Sequence, residues 1–266
     1  MKMKQIYILI IFLSVAWLQS CSFGKEDNLA PIDGSTGVAG SYARFMIVGD
    51  RMYVVDRQSI KTFSLDNPAD PVQIDDQDIG SNIETIFNLG DKLFIGAGSG
   101  MYIYTIGDTG VPQKAGEFLY SEFGFGFEPC DPVVANDTYA YVTLNTTNRV
   151  ERCRVTVDEQ INLLNIFDIT NVFEPFLVAQ YQMFNPKGVA LDGNILFLCE
   201  DTQGLKVFDV SNPQDIQLVK HFTGFTAFDV IPLGGLLLVV GPENVYQFDY
   251  SDIGNMVKIS EIPLGV

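Results

Sequence analysis

Five charged residues in this 266-residue sequence, each at or just before the start of a short apolar segment, could take part in chemistry. Three of them, Glu84, Asp131 and Asp229, are carboxylic acids. Carboxylates that converge from several strands can serve as the general acid and the base of glycoside hydrolysis. The other two are Arg44 and Lys187, which could instead pair with these acids and neutralise them. Both interpretations stay open, and ion pairing is the favoured one.

Other arrangements of catalytic or metal-binding residues are weak in this sequence. His221 is the single histidine, so a Ser-His-Asp triad would depend on it and a three-histidine zinc site is excluded. Residues 75–78, Asp-Asp-Gln-Asp, lack the spacing of an EF-hand calcium loop. The sequence therefore predicts no catalytic residues, no metal site and no cofactor.

A repeated structure must hold these residues, because one short motif recurs along the chain. Its clearest copy is GLKVFDVSNP at residues 204–213. Five copies align on an aromatic residue, namely Phe63, Tyr104, Phe167, Phe208 and Phe248. The spacings are 41, 63, 41 and 40 residues, so one repeat carries a long insertion. A period near forty that is rich in strand formers indicates an array of β-sheets. Asp168, Asp209 and Asp249 follow the aromatic residue directly and are predicted to cap turns.

Each repeat contains four short apolar segments separated by Gly, Asn, Asp and Pro, which predicts a four-stranded antiparallel sheet. The first two segments barely alternate between apolar and polar residues, which indicates strands buried on both faces. We therefore predict an all-β fold, a β-propeller of five four-stranded antiparallel blades. The repeats span residues 42–80, 81–122, 127–184, 185–224 and 225–266. The chain begins on an inner strand and ends on an outer one, so no strand exchange is expected to close the ring.

The amino-acid sequence of the repeats resembles that of the LVIVD-repeat family of bacterial surface propellers. The resemblance rests on MYVVD at residues 52–56, LFLCE at residues 196–200 and the motif at residues 204–213. It implies a propeller fold and placement at the cell surface, and it implies no catalysis.

The N-terminal residues are typical of an export signal. Lys2 and Lys4 precede an apolar run at residues 6–17, and the LQSC ending resembles the lipobox of bacterial lipoproteins. We expect a signal peptide at residues 1–20, lipidation of Cys21 and a flexible tether at residues 21–41. The alternative is an ordinary signal peptide with a chance cysteine. Lys-Glu-Asp at residues 25–27 is similar to the surface-export signal of Bacteroidota lipoproteins, which implies that the protein faces outward.

The insertion in the third repeat carries a predicted disulfide bond. Cys153 lies in the insertion and Cys130 lies just before the first strand of the same repeat, so both are expected on one face of the blade. An exported protein meets an oxidising compartment, which favours a Cys130–Cys153 bond over two free thiols. Cys199 falls in a second strand and is predicted to be a buried free thiol.

The charge balance and the predicted geometry together suggest a function. With 16 basic against 33 acidic residues the net charge is −17, which excludes nucleic acid as a partner. The five charged residues are expected to ring one mouth of the channel, and Arg149 and Arg152 of the insertion emerge there. We expect an outer-membrane lipoprotein that faces the exterior and acts as a non-catalytic binding or scaffold propeller, with an outer-membrane protein or a glycan as partner. The alternative is a carbohydrate-active enzyme or a glycan-binding accessory protein.

Overall fold

Five four-stranded antiparallel sheets make up the computed structural model, which describes residues 40–123, 132–145 and 162–265. In every sheet the strands are ordered as they occur in the chain, and the first strand of each is innermost. This is a β-propeller with five blades, so the fold prediction is confirmed. Within these ranges no helix has the length and hydrophobicity to cross a bilayer.

The first two blades lie N-terminal to the long insertion. Blade 1 contains β1 (Phe45–Val48), β2 (Arg51–Val55), β3 (Ser59–Ser64) and β4 (Val72–Asp78). Blade 2 contains β5 (Ile83–Leu89), β6 (Lys92–Ala97), β7 (Gly100–Ile106) and β8 (Pro112–Leu119), and a short 3-10 helix follows at Tyr120–Phe123.

The remaining three blades follow the same plan. Blade 3 contains β9 (Val133–Ala135), β10 (Tyr139–Asn145), β11 (Asn162–Asp168) and β12 (Phe176–Gln182). Blade 4 contains β13 (Val189–Asp192), β14 (Ile195–Cys199), β15 (Leu205–Asp209) and β16 (Gln217–Phe222). Blade 5 contains β17 (Asp229–Leu233), β18 (Leu236–Val240), β19 (Asn244–Asp249) and β20 (Val257–Pro263), with a 3-10 helix at Ile253–Asn255.

The repeated aromatic residue marks a β-bulge between the third and fourth strands of every blade. The pairing register shifts immediately before Phe63, Tyr104, Phe167, Phe208 and Phe248. One extra residue on the fourth strand bends the outer edge of the sheet and increases its twist. The motif that dominates the sequence therefore encodes a local irregularity that all five blades share.

The Asp residue after the aromatic position makes the predicted turn cap. Asp168 Oδ1 accepts hydrogen bonds from the backbone N–H of Thr170 at 2.9 Å and from its hydroxyl at 2.6 Å. Asp209 and Asp249 make the same two bonds to the serine two residues further on. The capping prediction is confirmed, and each of these carboxylates serves its own turn.

Apolar side chains fill the four junctions between consecutive blades. Strand β14 is typical, because Leu196, Phe197, Leu198 and Cys199 are all fully buried. Leu196 and Leu198 pack towards blade 3, whereas Phe197 and Cys199 pack towards blade 5. Cys199 is the buried free thiol that the sequence predicts, and burial raises its pKa well above the usual range.

Blades 1 and 5 differ, because among the described residues each shares an apolar cluster with only one other blade. In β2, Tyr53 is buried while Met52 and Val54 are half-buried. In β18, Leu237 is buried while Leu238 on the other face is half-buried. Among the described residues no apolar cluster joins blade 5 to blade 1, and the two facing surfaces form what we call the seam. The prediction of burial on both faces is therefore wrong for these two blades.

Candidate functional site

The candidate site is the mouth of the central channel at which the first strand of every blade begins. Arg44 directly precedes β1, Glu84 is the second residue of β5, Lys187 precedes β13 by two residues and Asp229 begins β17. Antiparallel pairing brings the ends of the second strands to the same mouth. Other predicted site residues lie outside the described residues, namely Cys21, Cys130, Asp131, Arg149, Arg152 and Cys153.

The residues before β1 cross this mouth in a tight turn, residues 40–43, which we call the N-terminal turn. Its ends are joined by a hydrogen bond from the Ala43 N–H to the Gly40 carbonyl at 3.0 Å. Ser41 Oγ donates to Asp229 Oδ1 of blade 5 at 3.2 Å and accepts from the Val189 N–H of blade 4 at 2.8 Å. A Cβ atom on Gly40 would collide with the Asp229 carboxylate. The turn is therefore packed tightly against the inner strands.

The turn also contacts blade 2, the blade that follows blade 1 in the ring. The carbonyl of Ala43 accepts a hydrogen bond from the Ile86 N–H of blade 2 at 2.9 Å. Together with the bonds of Ser41, this contact links blades 2, 4 and 5 through four residues. Backbone groups that would otherwise face the channel are satisfied in this way.

Asp229 is the ionisable centre of this arrangement. Its carboxylate accepts hydrogen bonds from the Ser41 hydroxyl, the Val230 N–H and the backbone N–H groups of Ser41 and Tyr42. Burial nevertheless raises its pKa to about 6, and the hydrogen bonds only partly oppose this effect. Asp229 therefore changes charge near neutral pH, which is a common property of functional carboxyl groups.

Tyr42 lies among acidic groups from three blades. Burial raises the pKa of its phenol well above the usual range, and the nearby charges of Asp229, Glu84 and Asp201 raise it further. About a third of the residue is nonetheless exposed, at 37%. Tyr42 is therefore partly exposed, while its phenol is surrounded by protein groups. Its phenol stays protonated at neutral pH and can donate a hydrogen bond.

Lys187 is a buried cation at the same mouth. The residue is 5% exposed, and its Nζ lies 3.9 Å from Asp201 Oδ2. Burial lowers the pKa of the lysine, and the charge of Asp201 opposes this effect. Asp201 itself has a φ of 51°, a left-handed conformation that a non-glycine residue adopts only when its surroundings hold it there.

Glu200 holds the loop that leads into blade 4. The residue is fully buried, and its Oε2 accepts hydrogen bonds from the N–H groups of Phe184 and Asn185 at 2.9 and 3.0 Å. Its Oε1 lies 3.1 Å from Lys206 Nζ. Asn185 in turn donates to Asp201 Oδ2 at 2.6 Å. The Glu200 carboxylate therefore fixes the backbone of the connection that contains Lys187.

The predicted pairing of Asp229 with Arg44 or Lys187 is wrong, whereas any pairing of Asp131 lies outside the described residues. Lys187 pairs with Asp201, and Asp229 is satisfied by the N-terminal turn. The Arg44 guanidinium donates to the carbonyl of Ile83 in blade 2 at 3.5 Å. The prediction failed because these partners are not among the five charged residues, and the alignment of the repeats does not identify them.

No protein-family model and no curated protein sequence matches this chain. Solved structures do resemble it. A functionally unknown protein from Desulfotomaculum acetoxidans has a TM-score of 0.66 and 13% identity, with 86% of this chain and 72% of that chain covered. A protein from Lactobacillus plantarum has a TM-score of 0.60 and 14% identity, with 80% and 68% covered. The periplasmic gluconolactonase PpgL from Pseudomonas aeruginosa has a TM-score of 0.60 and 13% identity, with 82% and 68% covered. The likeness shows the fold alone.

Exposed aromatic residues also lie at the mouth, and they were not predicted from the sequence. Phe184 is 55% exposed and Phe228 is 37% exposed, and both lie in connections that enter the first strand of a blade. Tyr42 occupies the corresponding place before β1. Charge does not identify these residues as part of the site. Their signal in the sequence is an aromatic residue shortly before the first strand of a blade. Within the described ranges no three His, Cys, Asp or Glu side chains come together as metal ligands would.

Proposed function

We propose that this protein is a lipid-anchored propeller of the outer membrane that faces the exterior and binds another macromolecule without catalysing a reaction. The observation that carries the proposal is the N-terminal turn across the channel mouth. Small-molecule sites need an open concave pocket, and loops from all blades would converge on one at this mouth. Here the chain's own turn lies in that place, and Asp229 and Glu200 use their carboxylates to hold backbone amides.

The rim around the turn suits contact with a large partner. Tyr42, Phe184 and Phe228 are exposed on connections that hydrogen bonds fix to the blades. Aromatic side chains on rigid backbone are common anchors of protein interfaces, because they bury much area at a low cost in conformational entropy. An outer-membrane protein or a glycan is the partner that we propose. Arg149 and Arg152, which follow β10 in the chain, belong to the same proposed surface.

The proposed location rests on the sequence. The lipobox-like residues 18–21 and the resemblance of the repeats to the LVIVD family support an anchor at Cys21 and a place at the cell surface. The net charge of −17 disfavours close approach of the propeller to anionic lipid headgroups. A lipid anchor followed by a tether would keep the propeller clear of the membrane.

A capture experiment tests the proposal. The chain carrying Cys21→Ser, which lacks the lipid, is immobilised and exposed to outer-membrane extract and to a glycan array. The variant Phe184→Ala/Phe228→Ala is expected to lose the captured partner while its melting temperature stays unchanged. Phe173→Ala is the matched control, since Phe173 is 67% exposed on the loop between β11 and β12 at the other end of blade 3. Equal capture by all three chains would contradict the proposed surface.

Hydrolysis of a sugar derivative is the second candidate, and the pKa of Asp229 favours it. A carboxyl group with a pKa of about 6 can act as a general acid near neutral pH. One structural neighbour is a gluconolactonase, so gluconolactone belongs in the substrate screen together with chromogenic glycosides. Turnover that Asp229→Asn abolishes would favour this candidate over the non-catalytic one.

A further inference from the structure

A groove of about 250 Å³ opens between the outer strands of blades 3 and 4. Blade 3 contributes residues at the end of β12, and blade 4 contributes residues of β15 and the start of β16. The side chains that matter here are Tyr181, Met183, Lys206, Phe208, Ile216 and Leu218. Five of these six are apolar or aromatic. An apolar cavity of about 150 Å³ can hold a benzene molecule, so the groove has room for a substituted ring.

A tyrosine fills the equivalent place in blades 2 and 5. Lys206 stands two residues before the repeated aromatic residue of blade 4, and Tyr102 and Tyr246 stand at that position in blades 2 and 5. Both tyrosines are 6% exposed. Each belongs to the apolar cluster that joins its blade to the preceding blade. This part of the junction therefore accepts an aromatic ring wherever the chain supplies one.

The fourth strand covers that ring with a lysine in blades 2 and 5. The Nζ atoms of Lys114 and Lys258 lie 5.1 and 5.4 Å from the ring centres of Tyr102 and Tyr246. Both lysines pair across the sheet with the repeated aromatic residue of their blade, and the residue that does so in blade 4 is Leu218. Leu218 is 54% exposed. Blade 4 therefore has an apolar side chain where the other two blades have a cation.

The charge beside the ring position is also reversed in blade 4. Tyr102 and Tyr246 pair across the sheet with Glu117 and Glu261. Lys206 pairs instead with His221. Compared with blades 2 and 5, the groove therefore lacks the tyrosine ring and the acid, and it has a cation in the third strand.

Lys206 can accept a further anionic partner. Its Nζ lies 3.1 Å from Glu200 Oε1, and the other oxygen of Glu200 is held by two backbone N–H groups. An ammonium group has three N–H donors, so this contact leaves donors for a second acceptor. Lys206 is half-buried, and hydrogen bonds from a charged donor to a carboxylate are stronger than neutral ones.

We propose that this groove binds a small aromatic carboxylate. Its ring takes the place that tyrosine fills in blades 2 and 5, between Met183 of blade 3 and Leu218 of blade 4. Its carboxylate accepts a hydrogen bond from Lys206 Nζ. Small-molecule sites commonly combine apolar walls with a few polar groups that fix the orientation of the ligand. The site does not involve the aromatic residues of the mouth, so it is independent of the function proposed above.

Methyl NMR of the chain carrying Cys21→Ser tests the site, with phenylacetate as the probe. Ligands of this size reach dissociation constants on the order of 1 mM, which a titration detects. We expect saturable shifts of the methyl signals of Met183, Ile216 and Leu218, which line the groove. Phenylacetamide has the same shape without the charge, and it should bind at least about fivefold more weakly.

Two variants separate the contact with the ring from the contact with the carboxylate. Leu218→Glu places a negative charge at the exposed rim and should weaken phenylacetate binding at least about tenfold. Val72→Glu is the matched control, since Val72 is 58% exposed on the fourth strand of blade 1. Lys206→Met keeps an apolar stem and removes the charge, so phenylacetate and phenylacetamide should then bind equally. Thermal melting of each variant checks that the fold is retained.

Several results would overturn the proposal. These are a titration without saturable shifts, shifts that avoid the groove, and equal binding of phenylacetate by the Leu218→Glu and Val72→Glu chains. A Lys206→Met chain that still prefers the acid would show that the ammonium is not the contact, and the proposed pose would be wrong. If Lys206→Met unfolds because Glu200 loses its cation, the comparison of acid with amide on the Cys21→Ser chain still decides the role of charge.

Discussion

Asp229 should make the stability of the propeller depend on pH in an unusual direction. Its folded-state pKa is about 6 against an ordinary value of 3.8, so the folded protein holds a proton that the unfolded chain has released between these two values. The resulting stability is fully present below pH 3.8 and is lost as pH rises through 6. Most carboxyl groups that shift in proteins act in the opposite sense, so the effect is recognisable.

The magnitude follows from the shift. A difference of about two pKa units corresponds to about 3 kcal/mol of unfolding free energy. In a domain of this size such a change moves the melting temperature by about 10 °C. Asp229→Asn removes the charge and keeps an oxygen that accepts from Ser41 and Val230. The variant should therefore be more stable than the natural chain at pH 7.5 and similar to it at pH 4.

The assay is thermal or denaturant unfolding between pH 4 and pH 8, with the difference between the two chains plotted against pH. Asp249→Asn is the control, because hydrogen bonds from Ser251 lower the pKa of Asp249 and its contribution is instead lost as pH falls. Parallel curves for the natural chain and Asp229→Asn would refute the reasoning. They would mean that the N-terminal turn does not bury this carboxylate.

Three further outcomes are expected. Ser41→Ala should destabilise the fold by about 1–3 kcal/mol in chemical denaturation, because the Val189 N–H loses its acceptor, and an unchanged midpoint would contradict the turn's role. Cys21→Ser should release the protein from membranes in a detergent-partitioning experiment, and natural chain found wholly in the aqueous phase would count against the anchor. Peptide mapping without reductant should find a Cys130–Cys153 link worth roughly 3 kcal/mol of stability, and a link to another cysteine would show that the predicted pairing is wrong.

The blades could be predicted because their signals are local. The motif around Phe208 occurs five times, and its hydrogen-bonded turn needs only residues that are close in the chain, as with Asp209 and Ser211. The hairpin turn at Gly193 is equally local, because its φ of 56° suits glycine. Patterns of this kind determine strands and turns directly, so the number of blades followed from the number of copies.

The seam could not be predicted, because an apolar pattern says that a residue can be buried and does not say what buries it. Strand β18 reads LLLVV and is as apolar as β14, which reads ILFLC. Only the arrangement of whole blades leaves Leu238 half-buried while its counterpart Phe197 is fully buried.

The partners at the mouth were missed for a related reason. Ser41 lies 188 residues from Asp229 in the chain, within a segment whose composition indicates a tether. Nothing local distinguishes this serine from its neighbours, and its role exists only once the ring brings blade 5 beside the start of blade 1. Asp201 likewise reaches Lys187 only because β14 ends at the mouth where β13 begins.

The decisive measurement for the binding function is the affinity of a purified partner, taken from the capture experiment, for the chain and its aromatic variants. Loss of an anchoring aromatic side chain typically costs 1–2 kcal/mol or more, so Phe184→Ala/Phe228→Ala should raise the dissociation constant at least about tenfold. Phe173→Ala should leave the constant within about twofold, because that side chain lies away from the mouth. Equal affinity of all three chains for the partner would contradict the proposal that this mouth is the binding surface.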